Sequence, residues 1–405
     1  MKLVVLTAAY PSPAEPERAV YIESLTRALA AGDGRRGAEP VDAAVVAPRV
    51  FLSDPLVEVR NDVPVRRFPY PSGGKRLKEM GHPSSATLLA YAVSGLVALL
   101  EEVRSRSPDA ILCHWVLPTG PLAAAAASFL RVPLVLVAHG SDVLRYASSS
   151  RALHAAARFA LGRASVVLAV SADLRRVLVE QLGVDPARAA VLPMGADERL
   201  FGRPAVVERG GREREEAKRK LGVDPSLPLL LFVGDLSPEK GVPELLDAHD
   251  ALHRRGIEAS LHLLGDGPLR GARRGASARA VFTGRVPQAE LPCWHAAADL
   301  LVLPSHAEGS PVTVMEALSS GLPVLASRVG GIPDLIEEGR TGWLVPPRDA
   351  QALTAALEKL LSGREALEEA RGRLVSAPPD LSAARRARDL RRILEDLPSR
   401  ESGGG

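Results

Sequence analysis

Short apolar runs recur along the whole chain, and segments of helical length separate them. In the first half the runs are KLVVLTAA, AAVVAP, DAILCHW, PLVLVAH, ASVVLAV and AAVLPM; in the second half they are PLLLFVG, SLHLLG, AVFTG, DLLVLP, PVLAS and GWLVP. Many are followed by turn residues and then by an amphipathic or Ala-rich segment, which is typical of parallel sheets with helices on both faces. Because both halves show this pattern independently, it predicts an α/β fold of two doubly wound, Rossmann-like domains that bind ligands at the C-terminal ends of their strands.

The boundary between the two predicted domains lies near 195–227. There GADERLFGRP is followed by the charged run ERGGREREEAKRK, and LGVDPSLP then leads into a new strand. The charged run is most simply a solvated surface helix or linker. The pattern predicts an N-terminal domain at 1–200, a C-terminal domain at 201–380, a helix at 381–397 that packs back on the N-terminal domain, and a disordered tail at 398–405. A ligand shared by the domains would lie in a cleft between them.

Composition and charge narrow the class of protein. The chain has 405 residues and is 46% hydrophobic, enough for two domains with substantial cores, and its net charge of +3 gives no general case for nucleic-acid binding. The two cysteines, Cys113 and Cys293, lack metal-ligand spacing and are expected to be buried thiols in a reducing compartment.

The chain start and one long apolar stretch bear on localisation. MKLVVLTAAYPSP is predicted to be a first strand and not a secretion signal. ATLLAYAVSGLVALL at 86–100 is predicted to be a buried helix and not a membrane span. We therefore expect a cytoplasmic protein, with peripheral contact at the inner face of the membrane as an open alternative.

One segment, SHAEGSPVTVMEALSSGLPVLAS at 305–327, contains a short helix with clear start and stop signals. Ser310 is a good N-cap and Pro311 suits the first helical position, while Gly321 fits a left-handed C-cap. A helix over 311–319 leaves backbone N–H groups without intrahelical partners at its positive end, which attracts anions and phosphate above all. These are the N–H groups of Val312, Thr313 and Val314.

Two carboxylates accompany this helix end. Glu308 lies in the loop before it, and Glu316 lies about one and a half turns inside the helix. The arrangement suggests an anion on the helix end and hydroxyl groups beside the carboxylates, and a nucleoside diphosphate-sugar has both. The alternative is a simple dipole partner and an ordinary surface glutamate.

Three further strand-to-loop turns follow strands of the second half. FVGDLSPEKG at 232–241 carries Gly234 and Lys240, and a lysine there can reach a phosphate as a point charge. LLGDGP and FTGRVP are the other two, and their glycines allow close backbone approach to a ligand but serve tight turns equally well. A solvated lysine in an ordinary loop is the alternative for Lys240.

In their order along the chain, VGDLSPEKG, LLGDGP, FTGRVP and LVLPSHAEGSPVTVMEALSSGLPVLASRVGGIPDLIEEGRTGWLVPPRD resemble the nucleotide-sugar domain of the GT-B retaining glycosyltransferases of family 4. The match is close over 228–350. A weaker similarity in HWVLPTGPLAAA, LVAHGSD, LAVSADLRR and VLPMGAD extends it over nearly the whole chain.

The resemblance implies roles for particular residues. Glu308 would bind the donor sugar and steady charge at the reacting centre, Glu316 would hold the ribose hydroxyls, and Lys240 would hold the diphosphate. His139 and Asp142, in the AHGSD loop, would face the sugar. The backbone of one loop would meet the sugar and diphosphate, at Gly309, Ser310, Pro311, Val312 and Thr313. The backbone of another loop, Gly284 to Val286, would border the nucleobase.

Two departures from the family pattern concern the phosphates. The family commonly has an arginine where this chain has Asp235, so one cation of the diphosphate clamp is missing. The loop AYPSPAEPERAV lacks a Gly-Gly pair often found near the phosphates; Arg18 and Ala19 stand near the expected glycine, and Arg18 is a candidate replacement for the missing charge.

The implied chemistry is sugar transfer from a nucleoside diphosphate-sugar to a hydroxyl acceptor with retention of configuration. The chain has no Asp-x-Asp motif, so we expect no metal or other cofactor, with the helix end and Lys240 stabilising the leaving diphosphate. A covalent intermediate on Glu308 is conceivable; we favour front-face attack, with the leaving phosphate taking the acceptor's proton.

The first domain is expected to supply the site for a glycan, lipid-linked or small-molecule acceptor. VRRFPYPSGGKRLKEMGH at 65–82 is basic, with Phe68, Tyr70, Leu77 and Met80 interleaved. It is a candidate for contact with anionic lipid headgroups or a lipid-diphosphate acceptor. A solvated loop is the alternative.

Three other functions share these features. A nucleotide-sugar epimerase or hydrolase of the same fold would release free sugar. A phosphorylase would use free phosphate in place of a nucleotide. A degenerate sugar-nucleotide binder would bind without turnover, and Asp235 gives that reading some weight.

Overall fold

The structure is a computed structural model that describes residues 1–32, 39–147, 150–202, 211–271 and 280–398. The chain divides into two units, Met1–Met194 with Ala383–Gly405, and Gly195–Ser382. The tail predicted at 398–405 lies outside the described residues except for residue 398.

The first unit is built on an eight-stranded sheet in the order β3-β4-β2-β1-β5-β6-β7-β8. All neighbouring strands run parallel except β3, which pairs antiparallel with β4 at the edge. The strands are β1 (Lys2–Leu6), β2 (Asp42–Arg49), β3 (Val57–Arg60), β4 (Val63–Pro69), β5 (Ala110–His114), β6 (Leu134–Ala138), β7 (Val166–Ala169) and β8 (Ala189–Val191).

Five helices connect these strands: α1 (Val20–Ala31), α2 (Ser85–Arg106), α3 (Gly120–Leu130), α4 (Arg151–Arg163) and α5 (Ala172–Glu180). Short helical turns cover Leu77–Glu79, Asp142–Ala147 and Pro186–Arg188. Strands such as β5 and β6 are buried along their whole length because helices cover both faces of the parallel sheet.

The second unit contains a parallel six-stranded sheet in the order β11-β10-β9-β12-β13-β14. Its strands are β9 (Leu229–Val233), β10 (Ser260–Leu264), β11 (Val281–Gly284), β12 (Leu300–Leu303), β13 (Val324–Ser327) and β14 (Gly342–Val345). Its helices are α6 (Glu198–Phe201), α7 (Gly211–Lys220), α8 (Val242–Arg254), α9 (Leu291–Ala297), α10 (Val312–Ser319), α11 (Ala350–Ser362) and α12 (Glu365–Ser376), with short turns at Pro238–Lys240 and Gln288–Glu290.

The last helix, α13 (Ala383–Glu395), belongs to the first unit and packs on α1. Ala384 and Ala387 of α13 line a small cavity together with Ala28 and Leu29 of α1. The guanidinium of Arg391 donates to the carbonyl oxygen of Glu39. The interface between α1 and α13 therefore joins an early helix and the last helix of the described chain within one unit.

The predicted fold class is confirmed, because each apolar run quoted above forms a parallel strand. Two strands were not predicted. The segment that forms β3 and β4 reads VEVRNDVPVRRFP, and its arginines and acidic residues hide the alternation of a half-exposed edge hairpin.

The structure gives no support to the interpretation of 65–82 as a basic, aromatic membrane contact. Phe68 and Tyr70 are core residues with 1% and 8% exposure. Arg67 is buried against Glu58 and the carbonyl oxygen of Pro11, and Arg76 is buried against carboxylates of its own unit. These aromatic side chains pack inward because β4 lies inside the sheet, between β3 and β2.

The predicted buried helix at 86–100 is buried on one face only. Within α2, Tyr91 and Leu99 pack inward, whereas Leu89, Val93 and Val97 are exposed. Within the described part of the chain, one helix, Ser85–Arg106, is long and apolar enough to span a membrane by length and composition, and 33% of its most apolar window is buried.

The charged run near the domain boundary is not simply solvated. Its described part forms α7, where Lys218 is 4% exposed and donates to Asp299 Oδ2 at 2.7 Å. The same oxygen accepts the N–H of Leu229 at 2.7 Å, and Arg214 lies 3.0 Å from Oδ1. Asp299 therefore ties α7 to the beginning of β9.

Replacing Asp299 tests this buried ion network. Asp299→Ala removes the carboxylate that neutralises the buried Lys218 and accepts the Leu229 amide, so we expect the free energy of unfolding of the second unit to fall by about 3 kcal/mol. Urea denaturation followed by circular dichroism measures the change.

Glu216→Ala is the matched control, because it removes an exposed ion pair with Lys220 on the same helix and should cost less than about 1 kcal/mol. Equal effects of the two substitutions would contradict the structural role of Asp299.

Candidate active site

The predicted site lies at the C-terminal ends of the central strands of the second sheet. Strand order reverses between β9 and β12, which lie side by side, and their C-terminal ends lead into the loops that carry Lys240 and Glu308. Loops that diverge from such a reversal leave a crevice at the carboxyl edge of the sheet, where ligands bind in open α/β sheets.

The helix predicted at 311–319 is α10, with small differences at its start. Pro311, and not Ser310, is the N-cap residue, and the helix begins at Val312. The N–H of Val314 donates to the carbonyl oxygen of Pro311 at 3.1 Å, so it is not free as predicted. Within the described ranges, the N–H groups of Val312 and Thr313 have no acceptor. Two open amides therefore remain at the positive end of the helix.

The predicted end of this helix is confirmed. Gly321 has a φ of 76°, its N–H donates to the carbonyl oxygen of Leu318, and the N–H of Leu322 donates to that of Ala317. This pair of hydrogen bonds is the Schellman motif.

Lys240 and Glu308 are in direct contact. Lys240 Nζ lies 2.7 Å from Glu308 Oε1, and the Ser305 hydroxyl donates to the same oxygen at 2.7 Å. The side chains of Lys240 and Glu308 are 27% and 9% exposed. The other oxygen, Oε2, accepts no hydrogen bond from the described part of the protein. It can therefore accept one from a ligand.

The two loops that carry this ion pair are held together at close range. Gly241 has a φ of 70°, and a Cβ there would overlap the carbonyl oxygen of Pro304. The N–H of His306 donates to the carbonyl oxygen of Glu239 at 2.8 Å, and its Nε2 lies 2.8 Å from Glu244 Oε1. Ser305 and His306 lay inside the quoted motif but were not predicted as site residues.

The backbone at 309–313 is supported from the loop after β13. The N–H of Gly331 donates to the carbonyl oxygen of Gly309 at 3.0 Å. At Gly330, with a φ of 52°, a Cβ would collide with the carbonyl oxygen of Glu308. This approach fixes the chain direction just before the open amides of α10.

Glu316 lies on the buried side of α10, with 5% exposure. Burial raises the pKa of its carboxyl to about 7, opposed by a hydrogen bond from Gln288, whose Nε2 lies 3.5 Å from Oε1. Gln288 was not predicted, although it follows Val286 by two positions. The structure therefore brings Glu316 together with the loop expected to border a nucleobase.

The glycines predicted to approach a ligand end neighbouring strands. The N–H of Gly234 donates to the carbonyl oxygen of Leu264 at 3.0 Å, and the N–H of Gly265 donates to that of Gly284 at 2.8 Å. Gly284 closes β11, and Val286 beyond it is half-buried. Gly234 and Gly284 thus lie on the same carboxyl edge as the ion pair.

Three residues lie where the chain departs from the family pattern. Asp235 is exposed, directly after Gly234. Arg18, the candidate replacement cation, forms an ion pair with Glu79 at 3.2 Å within the first unit. Ala19 has a φ of 54°, the left-handed conformation that glycine adopts most readily.

The first unit holds a compact histidine cluster at the ends of β5 and β6. His139 Nε2 lies 3.0 Å from His114 Nδ1, and the His139 ring stands 4.7 Å from that of Trp115 and 5.8 Å from that of Tyr21. His139 is half-buried, while His114 is fully buried. His114 was not predicted, because a lone histidine ending an apolar strand carries no distinct sequence signal.

Asp142 holds two loops of this unit in place. It is 1% exposed, and its carboxylate accepts the N–H of His139 at 3.1 Å and that of Val116 at 2.7 Å. Burial raises its pKa to about 6, partly opposed by these hydrogen bonds. The predicted contact with a donor sugar has no support from this buried position, and a positioning role fits the contacts.

No cluster of three or more His, Cys, Asp or Glu side chains suited to a metal ion occurs among the residues that the structure describes. Metal independence stays a prediction. Lys240 and the open amides of α10 are electropositive groups at the carboxyl edge of the sheet.

Comparison with protein families matches both halves of the chain. The model described as "Glycosyl transferase 4-like domain" matches residues 19–195, and the model described as "Glycosyl transferases group 1" matches residues 227–363.

Curated relatives cover most of the chain. A putative teichuronic acid biosynthesis glycosyltransferase, TuaC of Bacillus subtilis, is 32% identical over 380 residues, which is 89% of each chain. A 2-deoxystreptamine N-acetyl-D-glucosaminyltransferase of Streptomyces fradiae is 31% identical over 88% of this chain and 86% of its own.

Solved structures share the fold. HepE from Anabaena, in complex with UDP, has a TM-score of 0.73 at 20% identity and covers 98% of this chain and 100% of its own. Sucrose-phosphate synthase from Thermosynechococcus elongatus has a TM-score of 0.74 at 20% identity, over 98% and 99% of the two chains.

The raised pKa of Glu316 predicts a pH-dependent cost to folding. Between its ordinary value of 4.5 and about 7, the folded chain keeps a proton that the unfolded chain has lost. The group's contribution to stability is therefore complete below pH 4.5 and is lost as the pH rises to about 7. At pH 8, Glu316→Gln should be more stable than the wild type by up to about 3 kcal/mol.

Urea denaturation at several pH values measures this difference, which should shrink toward zero at acidic pH. Glu290→Gln, at an exposed position, is the control and should show no such trend. A difference for Glu316→Gln that does not change with pH would contradict the raised pKa.

Proposed function

This chain belongs to the group 1 glycosyltransferases and has the GT-B fold of two Rossmann-like units, and we propose that it transfers a sugar from a nucleoside diphosphate-sugar to a hydroxyl acceptor, with retention of configuration and without a metal. The observation that carries the proposal is the Lys240–Glu308 contact beside two open amides of α10. A cation, a helix end and a carboxylate there match the diphosphate and the sugar of one donor.

The diphosphate is assigned to the start of α10. Its open amides and the positive end of the helix favour a doubly charged group. Crystal structures of HepE in complex with UDP and with UDP-glucose show that a protein of the same fold binds these ligands. A UDP- or GDP-sugar is therefore the proposed donor for this chain.

Lys240 is proposed to change partners when the donor binds. Without donor it neutralises Glu308, whose carboxylate lies almost buried and needs a cation or hydrogen-bond donors. A diphosphate arriving at α10 competes for the lysine. Glu308 Oε1 keeps the Ser305 hydroxyl and gains the hydroxyls of the sugar. The exchange couples diphosphate binding to release of the carboxylate that grips the sugar.

The nucleoside is assigned to the far side of α10. Glu316 lies buried beside Gln288, near the loop that follows β11. A carboxylate accepts two hydrogen bonds well, so the cis-diol of a ribose is a suitable ligand. Gly284 to Val286 would border the base, as the resemblance implies.

The proposed reaction is front-face substitution. The bond between the anomeric carbon and the phosphate oxygen breaks, and a bond to the acceptor oxygen forms on the same face. The acceptor's proton moves to the departing phosphate oxygen. Lys240 and the open amides stabilise the leaving group, and Glu308 stabilises positive charge at the sugar. A supporting role is proposed for Glu308, because Ser305 keeps one of its oxygens and the sugar hydroxyls bind the carboxylate once Lys240 has moved to the diphosphate.

The first unit is proposed to bind the acceptor, and His139 to hydrogen-bond the sugar. The relatives named above include a putative teichuronic acid biosynthesis glycosyltransferase and a 2-deoxystreptamine N-acetyl-D-glucosaminyltransferase. 2-Deoxystreptamine carries hydroxyl groups. A glycan, lipid-linked or small-molecule acceptor with a free hydroxyl is therefore the proposed class.

Donor identity and metal independence can be tested together. A melting-temperature screen against UDP-, GDP-, ADP- and TDP-sugars should show a shift for one nucleotide, because a ligand that binds only the folded chain stabilises it. With that donor and a set of hydroxyl acceptors, acceptor-dependent nucleotide release should be unchanged by EDTA.

Activity lost in EDTA and restored by Mn²⁺ would contradict metal independence. Epimerised free sugar without transfer, or sugar phosphate formed only with added phosphate, would contradict the proposed transfer. Donor binding without any turnover would indicate a degenerate binder.

The partner exchange of Lys240 makes an unusual prediction for Glu308. Glu308→Gln removes the carboxylate that competes for Lys240, so UDP should bind more tightly, by roughly threefold to tenfold, while transfer falls by at least about a hundredfold. Lys240→Ala should weaken both UDP binding and transfer. Isothermal titration with UDP and initial-rate kinetics measure the two effects.

Lys220→Ala, an exposed lysine on α7, is the matched control and should change neither quantity. Weaker UDP binding by Glu308→Gln would show that Lys240 and Glu308 do not exchange partners.

A further inference from the structure

His114 and His139 share a single hydrogen bond. Their ring nitrogens, Nδ1 of His114 and Nε2 of His139, are 3.0 Å apart. A hydrogen bond between two neutral imidazoles contains one hydrogen, so the protonated nitrogen of one ring determines that of the other. Burial lowers the pKa of His114 to about 3 and that of His139 well below its ordinary value, so both rings are neutral at neutral pH.

Burial distinguishes the two possible arrangements. His114 is 0% exposed, and its Nε2 has no hydrogen-bond partner among the described residues. If Nε2 carried the hydrogen, a buried N–H would be unsatisfied, which destabilises the folded chain. If Nδ1 carries it, only a lone pair is unpaired, and unpaired buried acceptors are tolerated more readily than donors. The second arrangement is therefore favoured.

We propose that His114 is a positioning residue that holds His139 as the tautomer with its hydrogen on Nδ1. His114 Nδ1–H donates to His139 Nε2, and His139 must then carry its own hydrogen on Nδ1. That nitrogen bonds to none of the described residues. His139 consequently offers a hydrogen-bond donor to a ligand oxygen and not a basic lone pair.

The surroundings hold both rings in the geometry that this requires. The carbonyl oxygen of His114 accepts the Thr119 hydroxyl at 2.7 Å, and His114 pairs with Val137 in the sheet. The N–H of His139 donates to Asp142, and the His139 ring lies 4.7 Å from that of Trp115 and 5.8 Å from that of Tyr21. Neither imidazole can rotate freely, so the hydrogen bond between them persists.

The consequence for activity rests on the proposed function. A sugar hydroxyl or ring oxygen that meets His139 would accept the Nδ1 hydrogen. The histidine would then orient the donor or acceptor and take no proton during transfer. This agrees with a reaction in which the leaving phosphate accepts the proton.

The tautomer can be read directly by NMR, without any ligand. In a two-bond ¹H–¹⁵N correlation spectrum of the ¹⁵N-histidine-labelled full chain, His139 should show a protonated Nδ1 and a bare Nε2. Its signals are assigned by their loss in His139→Gln. A protonated Nε2 on His139 in the wild-type chain would overturn the proposal, whatever any variant shows.

Variants of His114 test its part in the arrangement. His114→Phe keeps a ring of similar shape and removes the donor, so His139 should shift toward the tautomer with its hydrogen on Nε2. His114→Asn keeps an N–H near the position of Nδ1 and should restore the wild-type spectrum. His82→Asn, at an exposed position in the same unit, is the control. An unchanged His139 spectrum in His114→Phe would refute the role of His114.

Kinetics separate this inference from the proposed function. For His114→Phe we expect kcat of transfer to fall about tenfold to a hundredfold with little change in KM for the donor, and His114→Asn to recover most of it. A shifted tautomer with an unchanged kcat would support the role of His114 and contradict the proposed role of His139 in transfer.

Discussion

The reversal of strand order between β9 and β12 is the constraint on which the active-site arrangement of the second unit depends. Two adjacent parallel strands end at the same edge, and their connections must leave in opposite directions. The loop with Lys240 and the loop with Glu308 therefore meet although 68 positions separate them in sequence. The positive end of α10 follows immediately, because the second loop leads directly into that helix.

Electrostatics explain why this meeting point is suited to exchange of ligands. The Glu308 carboxylate is almost buried and is stabilised by one cation and one hydroxyl, both on the same oxygen. A diphosphate offers Lys240 a stronger partner, and sugar hydroxyls offer Glu308 replacement hydrogen bonds. Glu316 is a second buried carboxylate: it has no cation partner among the described residues, and burial raises its pKa to about 7. Polar groups of a ligand would relieve the cost that each carboxylate bears.

In the first unit, hydrogen bonds fix the position and the tautomer of a histidine. Asp142 accepts backbone amides from two loops and so fixes the position of His139. His114 then determines which nitrogen of His139 is protonated, through a single buried hydrogen bond. Asp142 and His114 thus act on His139, and His139 is the residue proposed to meet the ligand. The cluster stands at the ends of β5 and β6, as the ion pair of the second unit stands at the ends of β9 and β12.

The apolar strands, the two-domain organisation and the helix near 311–319 could be predicted from local patterns. Burial on both faces leaves apolar runs in the strands, and cap residues mark the ends of the helix. Prediction from the sequence failed at β3 and β4, whose arginines pair with carboxylates of the same unit, and the segment 65–82 was therefore interpreted without its strand. The family resemblance indicated Lys240, Glu308 and Glu316, but it assigned each to a different part of the donor and predicted no contact between them.

The contacts among those residues became visible in the three-dimensional structure alone. The Lys240–Glu308 ion pair, the approach of Gln288 to Glu316 and the hydrogen bond between His114 and His139 all join side chains from different strand ends. Such contacts depend on strand order, and strand order is set by the packing of the whole sheet. A local sequence pattern records whether a residue is buried, but it does not record which distant residue lies beside it.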